Sequence, residues 1–427
     1  MKELLSHYSS DHRKKLKDHL LEVAKKSREL ILDKDLNLSI LSPNKLADIS
    51  YLIGVLHDFG KTTTYFQDYL IRGESSSLSH HGLISAIAVY CLLKNKYDKR
   101  LAMLGYIVTK KHHGNLESPL ESNERIYYDL ERQLENIKEN NLKEVKEIYD
   151  DLLTGFNISI EDIIEKVEDF IFDKDDVGEY FREIIIMNKC KNQSKAIELF
   201  LVNNLLYSAL IDSDKKNAAR VNDNYFEGAT EENINVKDYI DYCREKDPDK
   251  FNPEKPINNL RNNFFDDVIN NKSISSDQYL YTLTAPTGIG KTFASFDFAN
   301  KINDFHKNGC RIIYCLPYTS IIDQNYDEFE KIIKFNLEDK YIEKPTKYLL
   351  RHHYLSPLKI NENIDNENDS RESKDLDNYL SNKILLESWE SGNVVTTFVQ
   401  LLESIIGNKN SYLKKFHNIV NSVVILD

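Results

Sequence analysis

The sequence predicts a multi-domain chain: an all-α helical bundle followed by an α/β domain built on a parallel sheet. Three observations carry this. From residue 13 to about 215, apolar residues recur at helical spacing and strand signals are few. Beyond about 279, short β-branched and aromatic runs alternate with helical stretches, which is the pattern of βαβ units. Between them, 226–254 turns polar and runs into DPDKFNPEKP, whose three prolines discourage regular structure. At 427 residues the chain exceeds one ordinary core. The expected division is a bundle over 1–225, a linker over 226–254 and a sheet domain over 255–427.

Within the bundle, Leu16, Leu20, Val23 and Leu30 mark the first helix, and Leu46, Ile49, Leu52, Ile53 and Leu56 mark a second that runs up to His57. The stretches 83–93, 101–108 and 197–211 are apolar nearly all round, as expected of helices buried inside a bundle. Between them, 117–195 is rich in Glu, Lys, Asn and Asp and reads as peripheral helices inserted into the bundle. In the second half the expected strands are YLYTLTAP (279–286), RIIYCLP (311–317), NVVTTF (393–398) and SVVILD (422–427). The segment 361–378 is too polar to pack and reads as a solvated loop. No internal repeat is present.

Composition narrows the function classes. Hydrophobic residues at 41% and charged residues at 29% exclude a largely disordered chain. A net charge of -13 argues against a general nucleic-acid coat, because nonspecific affinity comes from basic side chains neutralising phosphates. A local basic channel stays compatible with that charge. Cys91, Cys190, Cys243, Cys310 and Cys315 form no CxxC pair, which points to a reducing compartment and away from a thiolate metal site. The N-terminus lacks a signal-peptide core, and nowhere do about 18 apolar residues run together. A cytoplasmic protein with no membrane partner is expected.

Two motifs carry chemistry. APTGIGKT, Ala285 to Thr292, follows an expected strand and leads into an expected helix, the context a phosphate-binding loop requires. Within it, after Thr287, Gly288 and Gly290 let the backbone amides curl toward phosphates. Lys291 neutralises phosphate charge, and the Thr292 hydroxyl coordinates magnesium. At the far end, SVVILD delivers Asp427 from a buried strand, as a magnesium-binding carboxylate of such ATPases is delivered. ATP with magnesium is therefore expected here.

The second motif is a set of histidines and aspartates. One His-Asp pair such as His57-Asp58 is expected about once by chance, so it means little alone. Its company is the signal: His80-His81 and His112-His113 also stand at the ends of apolar segments. His19 lies on the apolar side of its helix, and the apolar stretch 197–211 runs into Asp212 and Asp214. Polar groups delivered from buried helix ends need partners, and a shared centre of two divalent transition-metal ions satisfies all of them. An aspartate bridging two ions about 3.5 to 4 Å apart suits phosphodiester hydrolysis. A third pair, His352-His353, lies outside this order and reads as structural.

The order of motifs resembles that of the helicase-nucleases of type I CRISPR systems, which join an N-terminal HD nuclease to a superfamily 2 helicase. The likeness rests on His19 in DHLLEVA, VLHDFGK at 55–61, His81 in HGLISA, KKHHGNL at 110–116, LIDSD at 210–214 and APTGIGKT, whose AxxGxGKT form is that of superfamily 2. VTTFVQLLESI and NSVVILD extend it. The resemblance implies an HD-type bundle and a RecA-like P-loop domain. It implies metal ligation by His19, His57, Asp58, His81, His112, His113 and a final aspartate, of which Asp214, preceded by the small Ser213, fits better than Asp212. Lys61 matches the family's HDxGK and is expected to steer phosphate, an exposed lysine being the plainer alternative. The family continues past Asp427 with a second RecA-like domain, so the expectation is an incomplete motor with little helicase activity of its own. The implied partners are single-stranded DNA and a guide-RNA surveillance complex. Two rival readings are a nucleotide-hydrolysing HD phosphohydrolase with a regulatory ATPase, and a non-catalytic DNA-binding product.

Overall fold

The computed structural model describes residues 3–9, 12–117, 125–172, 193–221, 226–271, 274–275, 278–306, 309–352, 383–384 and 386–427. The loop expected over 361–378, part of the inserted region 117–195, Cys190 and His353 lie outside them. The chain divides into two compact units. The first comprises Met1–Val221 and Glu403–His417; the second comprises Asn222–Leu402 and Asn418–Asp427.

The first unit opens with a hairpin, β1 (Leu5–Ser9) and β2 (His12–Lys15), which leads directly into α1 (Leu16–Leu32). Next come α2 (Pro43–Leu56), α3 (Thr64–Arg72), α4 (Gly82–Lys96) and α5 (Lys99–Lys110). The peripheral helices α6 (Arg125–Asn140), α7 (Leu142–Leu153) and α8 (Ile160–Phe172) follow, and then the long α9 (Gln193–Ala218). Local chemistry fixes several helix starts. Ser42 accepts from the amide of Lys45 at 3.4 Å, Thr63 from that of Phe66 at 3.1 Å, and Asp98 from those of Arg100 and Leu101 at 2.8 and 3.1 Å.

The helices expected to be apolar all round are buried as expected, with Ile84 to Leu93 of α4 entirely inside. Gly54 of α2 lets α1 approach closely: a Cβ there would lie 2.6 Å from Ala24 Cα. Helix α9 is long and apolar enough to cross a membrane by length and composition, and 72% of that window is buried inside the protein. Its interior also carries Asp212 and Asp214, the signature of a core helix that serves a polar centre.

In the second unit four strands form a parallel sheet in the order β4-β5-β3-β6, where β3 is Ile312–Leu316, β4 Leu349–His352, β5 Asn393–Thr397 and β6 Val423–Leu426. Helices α10 (Val236–Lys246), α11 (Pro256–Ile269), α12 (Lys291–His306) and α13 (Thr319–Leu337) accompany the sheet, and α14 (Phe398–Ile406) follows β5. Three of the four expected strands form.

Three expectations need correction here. The run YLYTLTAP is not a strand: Tyr279 is 85% and Leu280 81% exposed, and among the described residues no strand pairs with it. Its β-branched and aromatic composition had no partner strand to satisfy. Nor are residues 226–254 a bare linker. Ile234 and Val236 are buried in the core of the sheet unit, and Asn235 and Asn336 exchange hydrogen bonds at 3.0 and 3.2 Å. Polar composition concealed a few well-placed apolar anchors. Conversely, 403–417 belongs to the helical unit although it lies within the expected sheet domain.

Candidate metal centre and nucleotide loop

The centre of the helical unit is assembled from the ends of five elements. Helix α1 supplies His19, the end of α2 supplies His57 and Asp58, and the start of α4 supplies His81. The turn after α5 supplies His112 and His113, and α9 supplies Asp214. His19, His57 and Asp58 are fully buried, His112 and Asp214 nearly so, and His113 is exposed at the edge.

Asp58 stands in the middle, with its two oxygens facing different neighbours. Oδ2 lies 3.1 Å from His19 Nε2 and 3.3 Å from His57 Nε2. Asp214 Oδ1 lies 3.3 and 3.7 Å from the same two nitrogens. Oδ1 of Asp58 lies 3.2 Å from His81 Nε2 and 3.5 Å from His112 Nε2, and His81 Nε2 is 3.0 Å from His113 Nε2. Two quartets result, His19/His57/Asp58/Asp214 and Asp58/His81/His112/His113, each with its ligand-type atoms within 4.8 Å of one another.

Backbone geometry aims the rings. His57 Nδ1 donates to the Gly54 carbonyl at 2.8 Å, and His112 Nδ1 to the Thr109 carbonyl at 2.6 Å. A carbonyl only accepts, so Nδ1 of both rings carries a proton, and Nε2 is the atom each ring turns toward the cluster. Both Nε2 atoms are buried without a hydrogen-bond partner. A buried polar atom left unsatisfied costs about 1–3 kcal/mol, and a cation that displaces any proton from Nε2 would satisfy it, so this donor set fits cations. His19 Nδ1 is held by Asn217 Oδ1 at 2.7 Å, which directs its Nε2 inward.

Lys61 is buried, not exposed, and its Nζ lies 2.7 Å from Asp58 Oδ2. Its place on a short 3-10 turn, Phe59–Thr62, depends on Gly60, where a Cβ would meet Ile84 Cγ2 at 2.6 Å and the His81 carbonyl at 2.7 Å. The electrostatics follow from this crowding. Burial resists charge on His57, yet Asp58 and Asp214 outweigh it and raise its pKa to about 10. His19 is raised against burial by the same two carboxylates. Burial also opposes ionisation of Asp58 and Asp214, but His57 and Lys61 beside the first, and His19 and His57 beside the second, hold both well below the usual carboxylate range. Burial dominates at His81 and lowers it to about 4.

The two neighbouring aspartates of α9 part company. Asp214 joins the cluster, whereas Asp212 turns to Lys216 Nζ at 2.6 Å and His417 Nε2 at 3.7 Å. His80 is exposed and stands outside both quartets. His352 accepts from Trp389 Nε1 at 3.0 Å, a structural role. Sequence reasoning missed His7, whose ring packs edge-on against His19 at 4.9 Å between centroids. It stands in the short LSHYS strand, where nothing in the pattern marks it. Asn217, 198 residues from His19, was equally invisible.

In the sheet unit, Gly288 and Gly290 take φ of +79° and +100°, the left-handed region only glycine enters freely. The chain then turns into α12 at Lys291. The Gly288 carbonyl accepts from Arg261 Nε at 3.0 Å. Thr287 and Gly288 are exposed, and Lys291 and Thr292 half-buried. Asp427 at the end of β6 accepts from the Tyr314 hydroxyl, which also engages Thr292 and Ser295. The acidic residue and the loop threonine therefore share a neighbour.

A family model described as DEAD/DEAH box helicase matches residues 262–427. The second half thus carries the class of nucleotide-dependent helicase segment that its loop and sheet suggest. The curated CRISPR-associated nuclease/helicase Cas3 of Haloferax volcanii is 29% identical over 399 residues, 87% of this chain and 41% of that protein. The solved T. fusca Cas3-AMPPNP structure superposes with a TM-score of 0.51 at 14% identity, over 100% of this chain and 47% of that one. T. fusca Cas3-ATP gives 0.49 at 15%, over 99% and 46%. The chain is Cas3-like, and it spans less than half the length of the relatives it matches.

Proposed function

We propose that the helical unit is an HD-type two-metal nuclease that cuts single-stranded DNA, and that the sheet unit is part of the ATP-driven motor that feeds it. The observation that carries this reading is the shared Asp58, with one carboxylate oxygen toward each of two four-residue donor sets. His19, His57 and Asp214 would hold one divalent cation with Asp58, and His81, His112 and His113 the other. Bound there, two such ions supply an activated water and charge stabilisation for the leaving oxygen of a phosphodiester. Asp58 holds the two donor sets together. Lys61, fixed against Asp58, adds positive charge where a phosphate would approach. Exposed His113 marks the side open to substrate.

In the sheet unit, Thr287, Gly288, Gly290 and Lys291 would cradle the phosphates of ATP, and Thr292 and Asp427 would hold its magnesium. The match to a nuclease/helicase named for CRISPR supports a place in CRISPR defence, with DNA exposed by a guide-RNA surveillance complex as the source of single strand.

The test is cleavage of single-stranded DNA by the purified, metal-stripped chain after adding back manganese, cobalt, nickel or zinc. Cleavage that appears with metal and vanishes in His57→Ala and Asp58→Ala is the expected outcome. Equal cutting by parent and both variants would sink the assignment. Hydrolysis of dNTPs or cyclic nucleotides with no attack on polynucleotide would favour a nucleotide phosphohydrolase instead.

A further inference from the structure

The segment 403–417 lies in sequence between β5 and β6 of the sheet unit, yet it packs as part of the helical unit. Both its ends are anchored on α9. Ser208 Oγ donates to the Lys414 carbonyl at 2.9 Å and accepts from the His417 amide at 3.0 Å, and Asn204 Nδ2 donates to the Ile405 carbonyl at 3.0 Å. Between them it runs against the turn that carries His112 and His113. The Leu116 amide donates to the Asn408 carbonyl at 2.8 Å, and Asn408 Nδ2 returns a bond to the Leu116 carbonyl at 3.0 Å.

Asn410 sits between these contacts. Its amide donates to Asn115 Oδ1 at 3.0 Å. Its Nδ2 faces the His112 carbonyl at 3.3 Å, the Gly114 carbonyl at 3.4 Å and the Tyr207 hydroxyl at 3.0 Å. Its Oδ1 accepts from Lys215 Nζ, on the residue next to Asp214. Tyr207 in turn donates into the same turn, at the Lys111 and Gly114 carbonyls. One side-chain amide thus ties the backbone bearing two ligands of one quartet to the helix bearing Asp214 of the other.

We infer that Asn410 is a positioning residue of the metal centre, supplied by the helicase part of the sequence. The inference rests on the two-metal reading above. Outer partners of this kind orient ligands without touching the ion, and their loss typically weakens metal affinity about 10- to 100-fold. Holding the His112 carbonyl fixes the peptide that precedes His113, so the direction of both imidazoles depends on it. The helical unit is therefore incomplete without a segment that follows β5.

The test titrates the full, metal-stripped chain with manganese by calorimetry and records the visible spectrum of its cobalt form, for the parent, Asn410→Ala and Asn410→Asp. Asn410→Asp keeps the acceptor for Lys215 and loses both amide hydrogens, so it separates positioning from general packing. Both variants are expected to bind manganese about 10- to 100-fold more weakly at one or both sites, with altered cobalt bands and melting temperatures within a few degrees of the parent. If the parent binds manganese and both variants match it in affinity and cobalt spectrum, Asn410 has no such role. A parent that binds neither manganese nor cobalt would overturn the metal reading itself, and this inference with it.

Discussion

The two candidate sites are built on opposite plans. In the helical unit, four of the seven ligand-type side chains are held by a neighbour outside the donor set. Carbonyls hold His57 and His112, Asn217 holds His19, and Lys61 meets Asp58. The donors face one another with buried lone pairs and leave little room to relax. In the sheet unit, the phosphate loop is largely exposed, and the conformation it needs is supplied by two left-handed glycines and a helix start. The first site is specified by tertiary packing and the second by local backbone chemistry. Hydrolysis that depends on fixed ions needs the former, whereas a loop that must admit and release a nucleotide suits the latter.

The comparison breaks most sharply in cleavage. Asp58→Ala is expected to lower metal-dependent cutting of single-stranded DNA at least about a thousandfold, roughly 4 kcal/mol of barrier. Lys291→Ala should leave ATP-independent cutting by the same chain within about twofold of the parent. An equal loss in both would mean that the two sites are not separable. Rates on a labelled oligonucleotide decide it.

Next in size is the split between the aspartates of α9. Asp214→Asn should abolish one metal equivalent by elemental analysis. Asp212→Asn should keep both metals and instead cost stability, about 3 kcal/mol by denaturant unfolding, because it breaks a buried ion pair with Lys216. Reversed outcomes would reassign the ligand.

Proton linkage sharpens the contrast further. His57, raised to about 10, and His19, also raised, carry protons near neutrality before metal arrives. Cations compete with those protons, so binding releases them, and affinity should climb as pH rises toward about 10. Calorimetry in buffers of different ionisation enthalpy measures the release; an exchange of zero protons at pH 7 would contradict it. The exposed loop should show no comparable release.

The smallest effects distinguish two kinds of glycine. Gly54→Ala forces a Cβ against Ala24 and should destabilise the helical unit by about 1–3 kcal/mol. Gly288→Ala meets open space and should cost only about 1 kcal/mol, through its left-handed φ. Melting of each variant checks the order.

Much of the bundle and of the candidate donor cluster was legible because the relevant residues end apolar helices, where a histidine or aspartate is conspicuous. The parallel strands β3, β5 and β6 were legible from β-branched runs. What escaped reading was contributed across long separations or disguised by composition. His7 stands in an unremarkable strand, and Asn217 and Asn410 look like ordinary surface residues. Ile234 and Val236 anchor a stretch that polarity made resemble a linker. The run 279–286 failed in the other direction: its composition suits a strand, but pairing is a property of the sheet, and no described strand offers it an edge.

The discontinuous make-up of the helical unit has a consequence for biosynthesis. Residues up to Val221 leave the ribosome well before Glu403–His417. About 180 residues intervene, roughly 10–40 s of synthesis at typical rates. During that interval the nascent bundle lacks Asn410 and its strap, so the candidate metal centre gains that support only after much of the second unit's sheet has been translated. The order of synthesis thereby delays full assembly of the candidate metal centre until a large part of the second unit exists.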